Sequence, residues 1–282
     1  YGPAEVVNAG IDFFRPLIIG QSILNTEGIW QLMYNRSLDY ARRGVLLASL
    51  SALDIALWDI KGKILNQPIA VLLGGKKRNS VSTYASGMYY KEVSDLPAHL
   101  SEEAQKYKQD GFGSMKMKVG FGVKEDLKNI SLIRKAIGDE VNLMVDANHA
   151  YCSKEAINLA KAMEEFQISW FEEPLSPDHY DNFSYLRSKT SVPIAAGECE
   201  YLRAGFFQLF KNNCVDIAQP DICAAGGLTE VKKIVSLAQT YGISIVPHTW
   251  GTGIALAATL QLLSNMDIIP GRMREPDVLM EY

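Results

Sequence analysis

The feature that most narrows the folds open to this chain is a rhythm. From about residue 79, short apolar and β-branched runs alternate with longer stretches of helical period. The runs fall at 81–86, 114–119, 143–146, 168–171, 194–196, 217–219, 243–247 and, more weakly, 278–281. Helical periods fill the gaps at 94–109, 124–137, 154–165, 179–188, 202–212, 227–240 and 252–264. Eight strands separated by seven helices imply a parallel sheet, because each helix carries the chain back along the sheet in a right-handed crossover before the next strand begins. A doubly wound open sheet shares this rhythm but advertises a glycine-rich phosphate loop after its first strand. Here the first run leads into Gly87-Met88-Tyr89-Tyr90, with neither GxGxxG nor GxxxxGK. The expectation is an α/β chain whose residues 79–282 form a (β/α)8-type TIM barrel.

Residues 1–78 read differently, with helical periods at Ala4–Phe14, Glu27–Tyr34 and Arg42–Leu65. The last carries Leu46, Leu47, Leu50, Leu53, Ile55, Ala56 and Trp58, and is expected to be buried on nearly every side. Pro68, Gly74-Gly75 and the basic Lys76-Lys77-Arg78 then mark a surface crossing into the barrel. Both termini are expected to be incomplete, since the chain opens inside a helical region and stops at the eighth strand without its helix.

Composition limits the partners. The chain has 28 Lys and Arg against 32 Asp and Glu, a formal charge of −4, and no basic tract, which argues against nucleic acid. No apolar run approaches the ~20 residues that span a bilayer, and the start lacks a signal-peptide pattern, so no membrane role is expected. Cys152, Cys199, Cys214 and Cys223 show no CxxC spacing, which fits a reducing cytoplasm.

Polar residues at the C-terminal ends of barrel strands face the active site. The ends here present Lys116, Lys118, Asp146, Asn148, Glu172, Glu173, Glu198, Asp221, His248 and Glu281. A single carboxylate after a strand often does no more than cap the next helix, but capping does not account for the whole set. Asp146, Glu172 and Glu198 recur at intervals of 26 residues, one strand-helix unit each, and are expected at one height on three adjacent strands. Three like charges so close would raise one another's pKa. A divalent cation removes the conflict, and all-oxygen ligation suits Mg²⁺ or Mn²⁺ better than Zn²⁺. Lys116 and Lys118 alternate on one strand and point to the same face. Two adjacent ammonium groups near a metal are expected to depress each other's pKa, which makes a lysine a usable base. Asp221 and His248 lie one unit apart, and an aspartate beside a histidine orients the imidazole. A buried structural histidine is the competing account of His248; Pro247 and Thr249-Trp250-Gly251 at the barrel mouth favour catalysis. His149, next to Asn148, could touch substrate.

Taken together, Lys116-Met-Lys118, Val145-Asp146-Ala-Asn148, Trp170-Phe-Glu172-Glu173-Pro174, Gly197-Glu198, Gln219-Pro220-Asp221 with Gly226-Gly227, and Pro247-His248 resemble the enolase superfamily, mandelate racemase / muconate lactonizing enzyme family, mandelate racemase subgroup. Upstream, Ala52-Leu-Asp54-Ile-Ala-Leu-Trp58-Asp59-Ile-Lys-Gly62-Lys63 and Leu72-Leu-Gly74-Gly75 resemble the helix and linker joining that family's capping domain to its barrel. The match keeps order and spacing from about residue 3 onward.

The resemblance implies that residues 1–78 are the helical remainder of an α+β capping domain and that 79–282 are the barrel. It implies Mg²⁺ on Asp146, Glu172 and Glu198, with Lys118 as base on one substrate face. Lys116 would contact the substrate carboxylate, and the His248–Asp221 pair would serve as acid or base on the other face. Asn148 would bind substrate, and Glu281 would be the electrophilic partner of the carboxylate. The reaction implied is abstraction of the proton α to a carboxylate through an enediolate, in a small hydroxy-carboxylate. Dehydration of an acid sugar leads; racemisation, epimerisation and lactone cycloisomerisation are the alternatives. A homo-oligomer of even number, up to an octamer, is also implied. A Schiff-base aldolase using Lys116 or Lys118, or an inert barrel, would leave the three spaced carboxylates unexplained.

Overall fold

The computed structural model describes residues 1–267 and 278–282. Eight strands, β1 (Ser82–Ser86), β2 (Ser114–Lys118), β3 (Asn142–Asp146), β4 (Ile168–Glu172), β5 (Ile194–Ala196), β6 (Ile217–Ala218), β7 (Ser244–Ile245) and β8 (Leu279–Glu281), alternate with helices. The helices are α1 (Ala4–Ile18), α2 (Thr26–Ser37), α3 (Val45–Leu65), α4 (Ile69–Leu72), α5 (Leu96–Gln109), α6 (Val123–Ile137), α7 (Ser153–Met163), α8 (Tyr180–Arg187), α9 (Leu202–Lys211), α10 (Gly227–Tyr241) and α11 (Gly253–Asn265). The strand order is β7-β6-β5-β4-β3-β2-β1-β8. Consecutive strands are neighbours and the last joins the first, with Ser86 N–H donating to Tyr282 O at 3.0 Å and Tyr282 N–H to Tyr84 O at 3.1 Å. That order is the barrel's and not the doubly wound sheet's.

Two expected strands are shorter than their sequence runs. The run at 243–247 pairs only at Ser244–Ile245, and 217–219 only at Ile217–Ala218. Pro247 and Pro220 follow these strands and have no N–H to extend a ladder. The masses of the chain cluster into two compact units: Tyr1–Ser82 with Gly197–Phe207 and Gln219–Met280, and Thr83–Ala196 with Gln208–Ala218 and Glu281–Tyr282.

In the first unit, Phe14, Ile29, Trp30, Met33, Leu47 and Leu50 form the core of α1, α2 and α3. The expected all-round burial of α3 holds for Leu47, Leu50, Ile55, Leu57 and Trp58 and fails elsewhere: Leu46 and Leu53 are half-buried, and Ala56, Ile60 and Ile64 are exposed. The α3 helix docks on the start of α10 through polar contacts. Asp54 is fully buried; its carboxylate accepts from Thr229 N–H at 2.9 Å and from the Thr229 hydroxyl at 2.6 Å. The Trp58 indole donates to Thr229 Oγ1 at 2.8 Å, and the Trp30 indole to Gly226 O at 2.7 Å. Burial pushes the Asp54 carboxyl up to about 7 against the opposing pull of Thr229. Gly227, at φ +77°, leaves room for this carboxylate: a Cβ there would lie 2.4 Å from Asp54 Oδ2.

The second unit holds the register that matters for chemistry. In parallel pairing, Ser86 stands beside Lys116, Lys118 beside Asp146, and Asp146 beside Glu172. Met115 and Met117, which alternate with the lysines along β2, are fully buried. Among the described residues no helix is long and apolar enough to cross a membrane, and Cys152, Cys199, Cys214 and Cys223 form no disulfide with one another.

Candidate active site

The second unit assembles six of the expected residues. Lys116 is 1% exposed, and its ammonium lies 2.5 Å from Glu172 Oε1, 2.9 Å from Glu281 Oε1 and 3.9 Å from Asp146 Oδ2. Lys118 donates to Asp146 Oδ2, and to Asn148 Oδ1 at 2.7 Å. Asn148 N–H closes the turn onto Asp146 Oδ1 at 2.9 Å. Asp146 and Glu172 are both fully buried, with ligand oxygens within 4.8 Å of each other. The Trp170 indole, two residues back on the same face of β4, donates to Glu172 Oε2 at 2.8 Å. Two ammonium groups thus stand among three carboxylates, and each strand contributes through side-chain alternation alone.

The electrostatics correct one expectation. Burial works against the charge on Lys116, but Glu172, Tyr84, Glu281 and Asp146 outweigh it and hold its pKa well above the ordinary lysine value. The neighbouring lysine was expected to push it down; three carboxylates within 4 Å decide the sign instead. Glu172 is pushed up, first by burial and then by Asp146 and Glu281, with Lys116 opposing. Glu281, which the resemblance casts as the electrophilic partner of the substrate carboxylate, accepts from Lys116 in this structure.

His149 and Glu173 form a separate pair. His149 Nε2 lies 3.1 Å from Glu173 Oε2, and its Nδ1 faces Leu175 O at 3.2 Å. Asn148, His149 and Glu173 all have positive φ, at +40°, +68° and +41°. Non-glycine residues held there are strained, and such strain collects at functional sites.

The first unit holds the expected histidine. His248, 6% exposed, sets Nδ1 2.7 Å from Asp221 Oδ2, and Nε2 lies 3.5 Å from Glu198 Oε2. Asp221 is 1% exposed and also takes Cys223 N–H on Oδ1 at 2.6 Å. A carboxylate on Nδ1 fixes the ring and leaves Nε2 as the working nitrogen. The expected equal height of the three spaced carboxylates holds for Asp146 and Glu172 but does not extend by strand register. Glu172 pairs with Ala195, and Glu198 comes two residues after β5 ends.

Sequence reasoning missed three neighbours of the lysines. Ser86, in register with Lys116, has a buried hydroxyl with no hydrogen-bond partner among the described residues. The Tyr84 ring lies 5.5 Å from Lys116 Nζ, and the Tyr89 ring 5.4 Å from Lys118 Nζ. The period-two alternation of Tyr84 and Ser86 on β1 was the available signal.

Residues 1–74 match the model for the mandelate racemase / muconate lactonizing enzyme N-terminal domain, and residues 99–272 match the enolase C-terminal domain-like model. A D-galactarolactone cycloisomerase of Agrobacterium fabrum is 42% identical over 281 residues, covering 100% of this chain and 74% of the relative. An arabinonate dehydratase of Saccharolobus solfataricus is 36% identical over 269 residues, covering 95% of this chain and 72% of the relative. The crystal structure of the 3,6-anhydro-D-galactonate cycloisomerase from Zobellia galactanivorans superposes with a TM-score of 0.92. It is 57% identical and covers 100% of this chain and 76% of that one.

Proposed function

Since this chain belongs to the mandelate racemase / muconate lactonizing enzyme family of the enolase superfamily, we propose that it eliminates a β-oxygen from an acid sugar, acting as a cycloisomerase. Acid-sugar dehydration is the second reading. Both begin with removal of the proton α to the carboxylate and end with loss of the oxygen on the β carbon. If that oxygen belongs to a ring, it stays attached and the product is an isomer; if it is a hydroxyl, water leaves. Identity of 57% and 42% to two cycloisomerases, against 36% to a dehydratase, puts the ring substrate first.

The observation that carries the proposal is the row Lys118–Asp146–Glu172 with Lys116 behind it. The donor set fits a hard cation, because buried carboxylate oxygens are its main polar groups. Asp146 and Glu172 would hold Mg²⁺, with Glu198 as third ligand on the strength of its sequence position. When bound, Mg²⁺ supplies the Lewis acidity that steadies the second negative charge of the enediolate. Lys118 takes the α proton, and Asn148 and Asp146 orient its nitrogen. Lys116, held charged, faces the substrate carboxylate together with Glu281, while Asn148 and His149 bind the substrate. His248, fixed by Asp221, delivers a proton from Nε2 to the departing oxygen. A Schiff-base role for Lys116 would leave the buried carboxylates Asp146 and Glu172 without a function.

The domain division at residue 78, a homo-oligomer of even number and a cytoplasmic location are part of the same proposal. The test is proton NMR in D₂O with Mg²⁺ and 3,6-anhydro-D-galactonate, D-galactarolactone or arabinonate. A 2-keto-3-deoxy product from a ring substrate supports cycloisomerisation. Product from arabinonate alone supports dehydration, and none from any acid sugar refutes both.

A further inference from the structure

Asp126 sits in the first turn of α6, fully buried, and the proton-transfer chemistry above does not use it. Its Oδ1 accepts from Gly120 N–H at 3.2 Å and Phe121 N–H at 3.3 Å. Its Oδ2 shares Gly120 N–H at 3.2 Å and takes the Tyr151 hydroxyl. Tyr151 is 7% exposed, donates its own N–H to Pro174 O at 3.3 Å, and meets the Phe171 ring edge-on at 6.2 Å. Gly120 follows Lys118 by two residues, Tyr151 follows Asp146 by five, and Pro174 follows Glu172 by two. One carboxylate and one phenol therefore tie together the loops that leave β2, β3 and β4. The loops also touch directly: Gly120, at φ +120°, leaves no room for a side chain, since a Cβ would lie 2.8 Å from the Ala150 Cβ.

Capping α6 does not require this arrangement. A cap is satisfied by one or two amides and stands in water, whereas Asp126 is buried and its carboxyl is pushed upward by that burial, with Tyr151 and the amides opposing. What the arrangement does accomplish is to fix two loop origins whose side chains, Lys118 and Asp146, bond each other. We propose that Asp126 and Tyr151 are positioning residues that hold Lys118 in register with Asp146 and Asn148. The inference rests on the reading of Lys118 as the residue that takes the α proton. Misplacing a reacting group by about 1 Å costs on the order of 10²-fold in rate, and outer residues that orient ligands typically carry 10–100-fold.

The test uses the full chain with Tyr151→Phe and, separately, Asp126→Asn. Amide hydrogen exchange is read without substrate, and steady-state kinetics with Mg²⁺ and the acid sugar found for the wild type. In Tyr151→Phe, amides of residues 119–122 and 147–151 should exchange about tenfold faster together, as expected for loss of one hydrogen bond to a charged acceptor. Amides within β4 should be unchanged. The kcat should fall by about 10–100-fold while KM stays within about twofold. Asp126→Asn should move both readouts the same way. Faster exchange in only one loop, or an unchanged kcat in both variants, overturns the proposal. If the wild type turns over no acid sugar, the functional reading fails and exchange alone decides the clasp: coupled loops sustain it, and independent loops overturn it.

Discussion

Replacing Lys116 by Met isolates the charge at the centre of the site, because the new side chain fills most of the volume and removes only the ammonium. That ammonium lies 2.5 Å from Glu172 and 2.9 Å from Glu281, in a place where Lys116 is 1% exposed. At an effective permittivity of about 20, each of these contacts amounts to roughly 6 kcal/mol of gross attraction. Burial of the ions offsets most of that, but the variant still leaves buried carboxylates with one fewer partner. Breaking a buried pair in this way costs about 3–5 kcal/mol. Urea unfolding without divalent cation should show that loss at pH 8. The deficit should shrink toward pH 5. Glu172 already has its folded pKa raised by burial, and losing Lys116, which opposes that shift, raises it further. A carboxyl with a raised folded pKa is best tolerated below its unfolded value, and its cost grows as pH rises through the folded value. Added Mg²⁺ should recover part of the loss in the variant. A deficit under about 1 kcal/mol at pH 8, or one that is flat with pH, would refute the charge argument.

Three further outcomes follow from the described contacts. Asp54→Asn removes a carboxyl whose pKa is pushed up to about 7. Between its unfolded and folded values, wild-type stability should therefore fall with pH relative to the variant, by at most about 1.4 kcal/mol per pH unit; parallel urea-midpoint curves would contradict this. Gly227→Ala puts a methyl 2.4 Å from Asp54 Oδ2 at φ +77° and should cost about 2–4 kcal/mol in the same assay; a neutral effect would show that Asp54 moves freely. Asp221→Asn should leave the fold intact and lower kcat by about 10²–10⁴-fold, since the imidazole loses its orienting charge; full activity would make the pair a bystander.

Much of the site could be read because strand alternation converts spacing directly into direction. Lys116 and Lys118 had to share a face, and the rhythm of the chain put Asp146 beside Lys118 and Glu172 one strand further on. What spacing cannot give is register through loops. Glu198 keeps the 26-residue interval yet follows β5 by two residues, and His248 keeps its interval although β7 ends at Ile245. Pairwise electrostatics were also hidden: two lysines in sequence suggested mutual depression, whereas the carboxylates brought in from three other strands reverse the sign for Lys116. The Asp126–Tyr151 bond joins residues 25 apart, one in the first turn of α6 and one in the loop after β3, and no period relates the two. The all-round burial expected of α3 fails at Ala56, Ile60 and Ile64, because composition counts apolar residues without saying which of them meet a partner.

Deuterium exchange at the α carbon separates the role of Lys118 from that of His248. Wild type, Lys118→Ala and His248→Asn are each incubated in D₂O with Mg²⁺ and the acid sugar that the wild type converts, and the recovered substrate is followed by proton NMR. Lys118→Ala should abolish both exchange and product, while His248→Asn should still exchange the α proton and form no product. Exchange that survives in Lys118→Ala and disappears in His248→Asn would contradict these roles.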